Sequence, residues 1–158
     1  MDASIQYQWV NAQHADTIAQ LAVCLTEEIM ERTGMQHFDV DVVQAEKLCR
    51  DFLSQDKYHV IAAFQNHQVI GFGALCESYA LYAEGAFGIL QEFYVQPQYR
   101  SQAVGQGLVD QIKKFAKTKS WTRIELCTPP VPEFERTVDF YMENGFERTG
   151  GYKMKWVR

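Results

Sequence analysis

The period of hydrophobic and polar positions changes several times along the chain, and each change marks an element. Ile5 to Val10 alternates in twos, which predicts a first strand. Ile18, Leu21, Ala22, Leu25 and Ile29 then recur at three- and four-residue spacing, which predicts a helix capped by Asp16 and broken at Thr33-Gly34. Asp39 or Asp41 opens a second helix through Val42, Val43, Ala45, Leu48 and Phe52, ending near Ser54. Tyr58 to Phe64 and Val69 to Cys76 are β-branched and aromatic runs, and the polar Gln65-Asn66-His67-Gln68 between them reads as a hairpin turn. Phe87 to Val95 adds a strand closed by Pro97, so these three runs form the antiparallel part of a sheet.

After Pro97 the pattern becomes helical. Val104, Leu108, Val109, Ile112, Phe115 and Ala116 trace one face, and Lys113, Lys114, Lys117 and Lys119 gather toward the end, where the helix dipole favours cations. Trp121 to Cys127 predicts a strand, and Thr128-Pro129-Pro130-Val131-Pro132 can be neither helix nor inner strand because each proline lacks a donor. A helix from about Glu133 to Asn144 carries Phe134, Val138 and Tyr141 on one face and ends at Gly145. Phe146 to Thr149 and Tyr152 to Val157 predict a closing hairpin around Gly150-Gly151.

The bulk numbers narrow the class. The 158 residues suit one domain, 1–158, and 47% apolar with 22% charged residues is the balance of a soluble globular protein. No apolar run approaches the roughly 18 residues of a membrane span. The opening Met1-Asp2-Ala3-Ser4-Ile5-Gln6 lacks a secretory pattern, which points to the cytoplasm. A net charge of −5 argues against a nucleic-acid surface and mildly favours a cationic substrate. Cys24, Cys49, Cys76 and Cys127 form no Cys-x-x-Cys pair and read as small buried hydrophobes; His14, His37, His59 and His67 show no ligand spacing, so no metal is expected.

The most informative stretch runs from Gln91 to Leu108, where a strand enters a small-residue turn that opens an amphipathic helix. Such a turn leaves backbone N–H groups aimed at one spot. The helix dipole, Arg100 and the absent Cβ of Gly105 make that spot a seat for a pyrophosphate. Gly105-x-Gly107 with Glu125 about 20 residues on partly resembles a dinucleotide fingerprint. Here, however, the third glycine is Asp110, antiparallel strands come first, and Arg100 precedes the turn.

Arg100-Ser101-Gln102-Ala103-Val104-Gly105, preceded by Phe93-Tyr94-Val95-Gln96-Pro97, resembles the Arg/Gln-x-x-Gly-x-Gly/Ala signature of the GCN5-related N-acetyltransferase (GNAT) superfamily. Phe140-Tyr141-Met142-Glu143-Asn144-Gly145-Phe146 is similar to the family's Phe-Tyr-x-x-x-Gly-Phe segment. The chain departs from the family at Ala103, where glycine is usual, and at Phe134 and Thr137, where many relatives carry Asn-x-x-Ala. The resemblance implies an α/β (α+β) fold, a mixed, mostly antiparallel sheet of six to seven strands flanked by about four helices, in the order β-α-α-β-β-β-α-β-α-β-β.

It also implies acetyl-CoA as cosubstrate, no metal, and transfer to a primary amine of a small molecule or of a protein or peptide. Phe93, Tyr94, Val95, Arg100, Ser101, Gln102, Ala103, Val104, Gly105 and Gln106 then form the cofactor site. An amine with a pKa near 10.4 must lose a proton before it attacks, which calls for a carboxylate base. Glu92 is that base, or Glu125 on the next strand. A backbone N–H near Tyr94 or Val95 serves the oxyanion where the strand bulges, and Tyr141 protonates the leaving thiolate. In this family the acceptor pocket draws on the first two helices and the segment after the third strand. Those regions carry Glu27, Glu28, Glu31, His37, Phe38, Asp39, Tyr79, Tyr82 and Glu84, which suit a cation unless the acidic residues are simply a solvated face. A non-catalytic acyl-CoA sensor on the same scaffold and a dinucleotide oxidoreductase are the alternatives, and the Tyr152 to Trp156 strand offers an edge for pairing two copies into a homodimer.

Overall fold

The structure is a computed structural model that describes residues 4–36 and 38–158. They form two compact units, one up to Leu126 and the other Cys127–Arg158. The first unit holds strands β1 (Gln6–Val10), β2 (His59–Gln65), β3 (Gln68–Ala80), β4 (Gly85–Val95) and β5 (Ile124–Leu126), with helices α1 (Ala15–Thr33), α2 (Val42–Ser54) and α3 (Val104–Thr118). The strands lie in their sequence order, antiparallel throughout except for β5, which runs parallel to β4. The sheet is mixed and mostly antiparallel, as expected, but it has five strands among the described residues and not six or seven.

Strand alternation sorts the core into two faces. Val60 and Ala62 of β2 and Phe72 and Ala74 of β3 join Ala15, Ile18 and Leu21 of α1 and Cys49 of α2 in one cluster. Ile61 and Gly73 face the other way, toward α3: a Cβ on Gly73 would lie 3.1 Å from Ile112 Cδ1. There α3 buries Val104, Leu108, Val109, Ile112 and Ala116, the stripe expected from sequence. Phe115 extends it into an aromatic group with Trp9, at 4.3 Å between ring centroids, and Trp121, at 5.4 Å.

Local chemistry fixes the helix ends. Asp41, not Asp39, caps α2, accepting from the Val43 and Gln44 N–H groups, and Gly34 ends α1 at φ 68°. Asp16 is not the cap of α1. The chain enters through a short 3₁₀ turn, Ala12–His14, held by Asn11, so Asp16 falls inside the first turn, where its charge meets the positive helix end. The expected stripe of α2 is also turned: Val43 is 72% exposed and Leu48 is exposed, while Cys49 is buried with Leu53 packed beside it. The helix docks along the line that meets α1, and its apolar surface is wider than that line.

Two further expectations are corrected. Trp121 does not begin β5. It is buried on Gly88, where a Cβ would collide with its ring, and its Nε1 donates to Glu77 at 2.6 Å. Cys24 and Cys127 are exposed rather than buried, Cys76 is half-buried, and only Cys49 fits the expectation. Cys24 sits one position off the apolar stripe of α1, and Cys127 lies just past the end of β5. Among the described residues no helix is long and apolar enough to cross a membrane.

In the second unit a proline-rich entry leads to helix α4 (Glu135–Glu143), with Phe134, Val138 and Tyr141 buried as expected. Its start is set by Phe134 N–H bonding to Pro130 C=O and Glu135 N–H bonding to Pro132 C=O. The closing hairpin is absent: residues 146–158 form no strand, and Tyr152, Met154 and Trp156 are exposed. Two short strands without a face to cover are marginal. Gly150 and Gly151 both adopt positive φ, yet no ladder follows that would exploit a tight turn.

Candidate active site

Strand β4 changes character at one residue. Gly88 N–H donates to Arg123 C=O, toward β5, and Leu90 shares that parity. Leu90 pairs with Leu75 but Glu92 pairs with Ala74, so Gln91 is an extra residue, a β-bulge. The bulge reverses the strand's parity. Glu92, which an unbroken strand would aim at α3, instead shares the α1–α2 side with Ala74 and Tyr94.

The same reversal orients the backbone. Gln96 N–H bonds to Ile70 C=O at 2.9 Å, and antiparallel pairs alternate, so Tyr94·Phe72 and Glu92·Ala74 exchange hydrogen bonds while Val95·Gly71 and Phe93·Gly73 do not. The N–H and C=O groups of Phe93 and Val95 therefore point away from β3. Strand β5 stops at Leu126, opposite Leu90, so within the first unit the β4–β5 ladder ends there. The strand bulges at Gln91, and the effect is to turn the Val95 amide outward.

This edge leads into the turn before α3. Ser101 and Ala103 both have left-handed φ, 71° and 62°, and α3 starts at Val104 without a side-chain cap. The first helical bond is Gly107 N–H to Ala103 C=O, at 3.1 Å. The amides of Val104, Gly105 and Gln106 thus lie ahead of the intrahelical ladder, at the positive end of the dipole. An anion with several acceptor oxygens fits such an end. Gly107 has a different job: a Cβ there would meet the Tyr7 hydroxyl, so its absence lets β1 seat against α3.

Arg100 does not extend freely toward this turn. Its Nε donates to Val95 C=O at 2.8 Å, its two terminal nitrogens donate to Glu28 at 3.1 and 2.8 Å, and its guanidinium lies 5.4 Å from the Tyr94 ring centre. Burial pushes the Glu28 carboxyl up, but the Arg100 and Arg32 guanidinium groups outweigh that and hold it below its ordinary range. Sequence reading placed Glu28 with the acceptor; the structure places it in a clamp joining α1, the end of β4 and the turn. Its partner is 72 residues away, so no local pattern could reveal it.

The two candidate bases differ. Burial pushes the Glu92 carboxyl up, partly offset by a hydrogen bond from the Tyr58 hydroxyl to Oε2 at 2.9 Å. Glu125 pairs in register with Ile89, nearer the start of β4, and is 38% exposed. Its carboxylate accepts from the Tyr82 hydroxyl at 2.9 Å and from Arg123 at 3.3 Å. In the second unit Tyr141 is 7% exposed and packs edge-on against Phe140 and Phe146. Burial raises its phenol above the ordinary value, so it remains a proton donor across the working range.

The acceptor residues expected from sequence do not form one cluster. Glu27, Glu31, Phe38 and Asp39 are exposed on α1 and the stretch after it, and His37 lies outside the described residues. Tyr79 and Glu84 line a cavity of about 300 Å³ at the β3–β4 turn. A larger cavity of about 410 Å³, lined by Gln6, Gln8, His14 and Phe64 among others, lies at the β1 edge of the sheet and holds none of the residues above. The site therefore rests on strand and turn geometry and not on cavity size. Among the described residues no three His, Cys, Asp or Glu side chains gather to hold a metal.

An acetyltransferase (GNAT) domain model matches residues 56–148, which span β2 through α4. Several solved structures share the fold. An aminoglycoside N-acetyltransferase, AAC(6′)-Iy, solved with CoA, superposes with a TM-score of 0.80 at 16% identity over 100% of this chain and 97% of that one. An aminoglycoside acetyltransferase from an uncultured soil metagenomic sample gives 0.75 at 18% identity, covering 98% and 97%. A ribosomal-protein-alanine N-acetyltransferase from Brucella melitensis biovar Abortus 2308 gives 0.72 at 15% identity, covering 98% and 100%. No curated protein matches the chain in sequence.

Proposed function

Because the chain belongs to the GNAT acetyltransferase family, we propose that it transfers an acetyl group from acetyl-CoA to a primary amine, by direct attack within a ternary complex. One observation carries this reading: within the first unit, the side of β4 beyond the end of the β5 ladder at Leu90 runs directly into the uncapped amides of α3. An extended ligand with amide groups at one end and a diphosphate at the other suits that path, the amides along Phe93 and Val95 and the diphosphate at Val104, Gly105 and Gln106. The turn residues Ser101, Gln102 and Ala103 bring these amides to one place, and Arg100, tied to Val95 and Glu28, holds the turn against the strand.

Glu92 serves as the base. A buried carboxylate whose pKa is raised accepts a proton from an amine more readily than an ordinary carboxylate. Glu125 is the weaker choice because Tyr82 and Arg123 already occupy its oxygens. The Val95 amide, turned outward by the bulge, stabilises the charge that develops on the acetyl oxygen. Tyr141, kept protonated by burial, returns a proton to the leaving sulfur.

The acceptor is a cation before it reacts. The aminoglycoside and ribosomal-protein enzymes that share the fold act on amines, by their names, and the exposed Tyr79, Tyr82 and Glu84 suit an amine with apolar surface. The test is a pair of variants. Glu92→Gln and Tyr141→Phe should each lower kcat by about 100-fold or more while acetyl-CoA still raises the melting temperature as it does for the parent. Full turnover in both variants would overturn these roles.

A further inference from the structure

We propose that Tyr58 is a positioning residue for the base: its hydroxyl holds Oε2 of Glu92, so that Oε1 alone is presented to the acceptor amine. The inference rests on the reading of Glu92 as base. Tyr58 lies just before β2 and Glu92 on β4, separated by β3, and they meet only because the Gln91 bulge turns Glu92 to the α1–α2 side. The Tyr58 ring is itself held, packing against Phe52 of α2 at 5.1 Å between centroids. Its hydroxyl donates to Oε2 at 2.9 Å.

The other oxygen is in a different position. Among the described residues the only fully enclosed side-chain polar atom without a partner is His14 Nδ1. Oε1 of Glu92 receives no protein hydrogen bond there, so it meets solvent. One oxygen anchored and one open is the geometry a base needs, since a carboxylate free to rotate would present either oxygen and lose alignment.

The groups facing this carboxylate are few. Cys49 of α2 has its thiol pushed up to about 11 by burial and by the Glu92 charge, with Arg50 opposing. Cys76 of β3 accepts from Gln91 Nε2 at 3.3 Å, and the Tyr58 hydroxyl is raised by burial and by Glu92. None of these carries a positive charge, so the Tyr58 hydrogen bond is the interaction that favours the ionised form of Glu92. Removing it should raise the pH at which Glu92 ionises, and the acidic limb of the rate profile should move up with it.

The direct test is an infrared titration of the ligand-free chain, with Glu92 identified by subtracting the spectrum of Glu92→Gln. In Tyr58→Phe the carboxyl band should titrate at higher pH, and its protonated carbonyl stretch should shift to higher frequency. Should Tyr58→Phe fail to fold, 3-fluorotyrosine at position 58, a stronger donor of nearly the same shape, should move the titration to lower pH. An unchanged midpoint in the variant that folds overturns the proposal. In turnover, kcat/KM of Tyr58→Phe at pH 6 should fall about tenfold and recover as the pH rises. If the infrared midpoint shifts but Glu92→Gln turns over normally, the coupling stands and the base assignment fails. If Glu92→Gln is inactive and the midpoint does not move, the base assignment stands and Tyr58 has no such role.

Discussion

Ala103 shows how much one dihedral angle decides. It occupies the place where the family motif carries glycine, and it does so at φ 62°, outside the helix that follows. Alanine's helix propensity therefore has no bearing there, whereas the left-handed conformation costs it about 1 kcal/mol relative to glycine. Ala103→Gly is expected to raise the melting temperature by about 3 °C and to keep acetyl-CoA binding, as differential scanning calorimetry with and without the cofactor would show. Glu92 makes the opposite trade. Its carboxyl has an ordinary value of 4.5 and is raised on folding. The folded state therefore binds the proton more tightly, and stability falls as pH rises through this window. Glu92→Gln should melt higher than the parent at pH 8, with the advantage gone below about pH 4, while turnover is lost. Glu28 is depressed instead, so the stability from its pairing with Arg100 and Arg32 is present above 4.5 and lost as pH falls through its folded value. Denaturation of Glu28→Gln against pH should show a deficit at pH 7 that closes in acid. The sequence made Glu92, Arg100 and Tyr141 visible because a motif surrounds each of them. The Tyr58–Glu92 and Glu28–Arg100 pairings stayed hidden because the partners lie 34 and 72 residues apart.

At the level of elements, periodicity located what it could measure. The stripe of α3 and the β2–β3 hairpin came directly from apolar spacing, because each has one clear face to bury. The rotation of α2 did not. Val42, Val43 and Leu48 are as apolar as the residues around Cys49, and only docking on α1 chooses between the two sides. Val43→Thr and Leu48→Gln should therefore change stability by less than about 0.5 kcal/mol, whereas Ile18→Ala should cost about 2–5 kcal/mol; urea unfolding would separate them. The Gln91 bulge was equally illegible, since the strand's sequence alternates no differently there and only the register with β3 reveals the extra residue. Yet it is the feature that brings Glu92 to Tyr58 and turns the Val95 amide outward.

For the whole molecule, element order carried the fold. Strand, two helices, three antiparallel strands and a helix entered through a small-residue turn were all present in the sequence, and family membership follows from the match across residues 56–148. The closing hairpin was not formed, because Tyr152, Met154 and Trp156 find nothing to cover them among the described residues. The acceptor is the least legible part for a related reason: its candidate residues sit at exposed positions of α1 and the β3–β4 turn, where side chains answer to a ligand and not to a core. The most direct measurement of the central claim is amine-dependent release of free CoA thiol from acetyl-CoA, across aminoglycosides, polyamines, and peptides with free N-terminal or lysine amines. Release should require at least one of these amines and fall by about 100-fold or more in Glu92→Gln. Binding of acetyl-CoA with no amine-dependent release from any of them would contradict that claim.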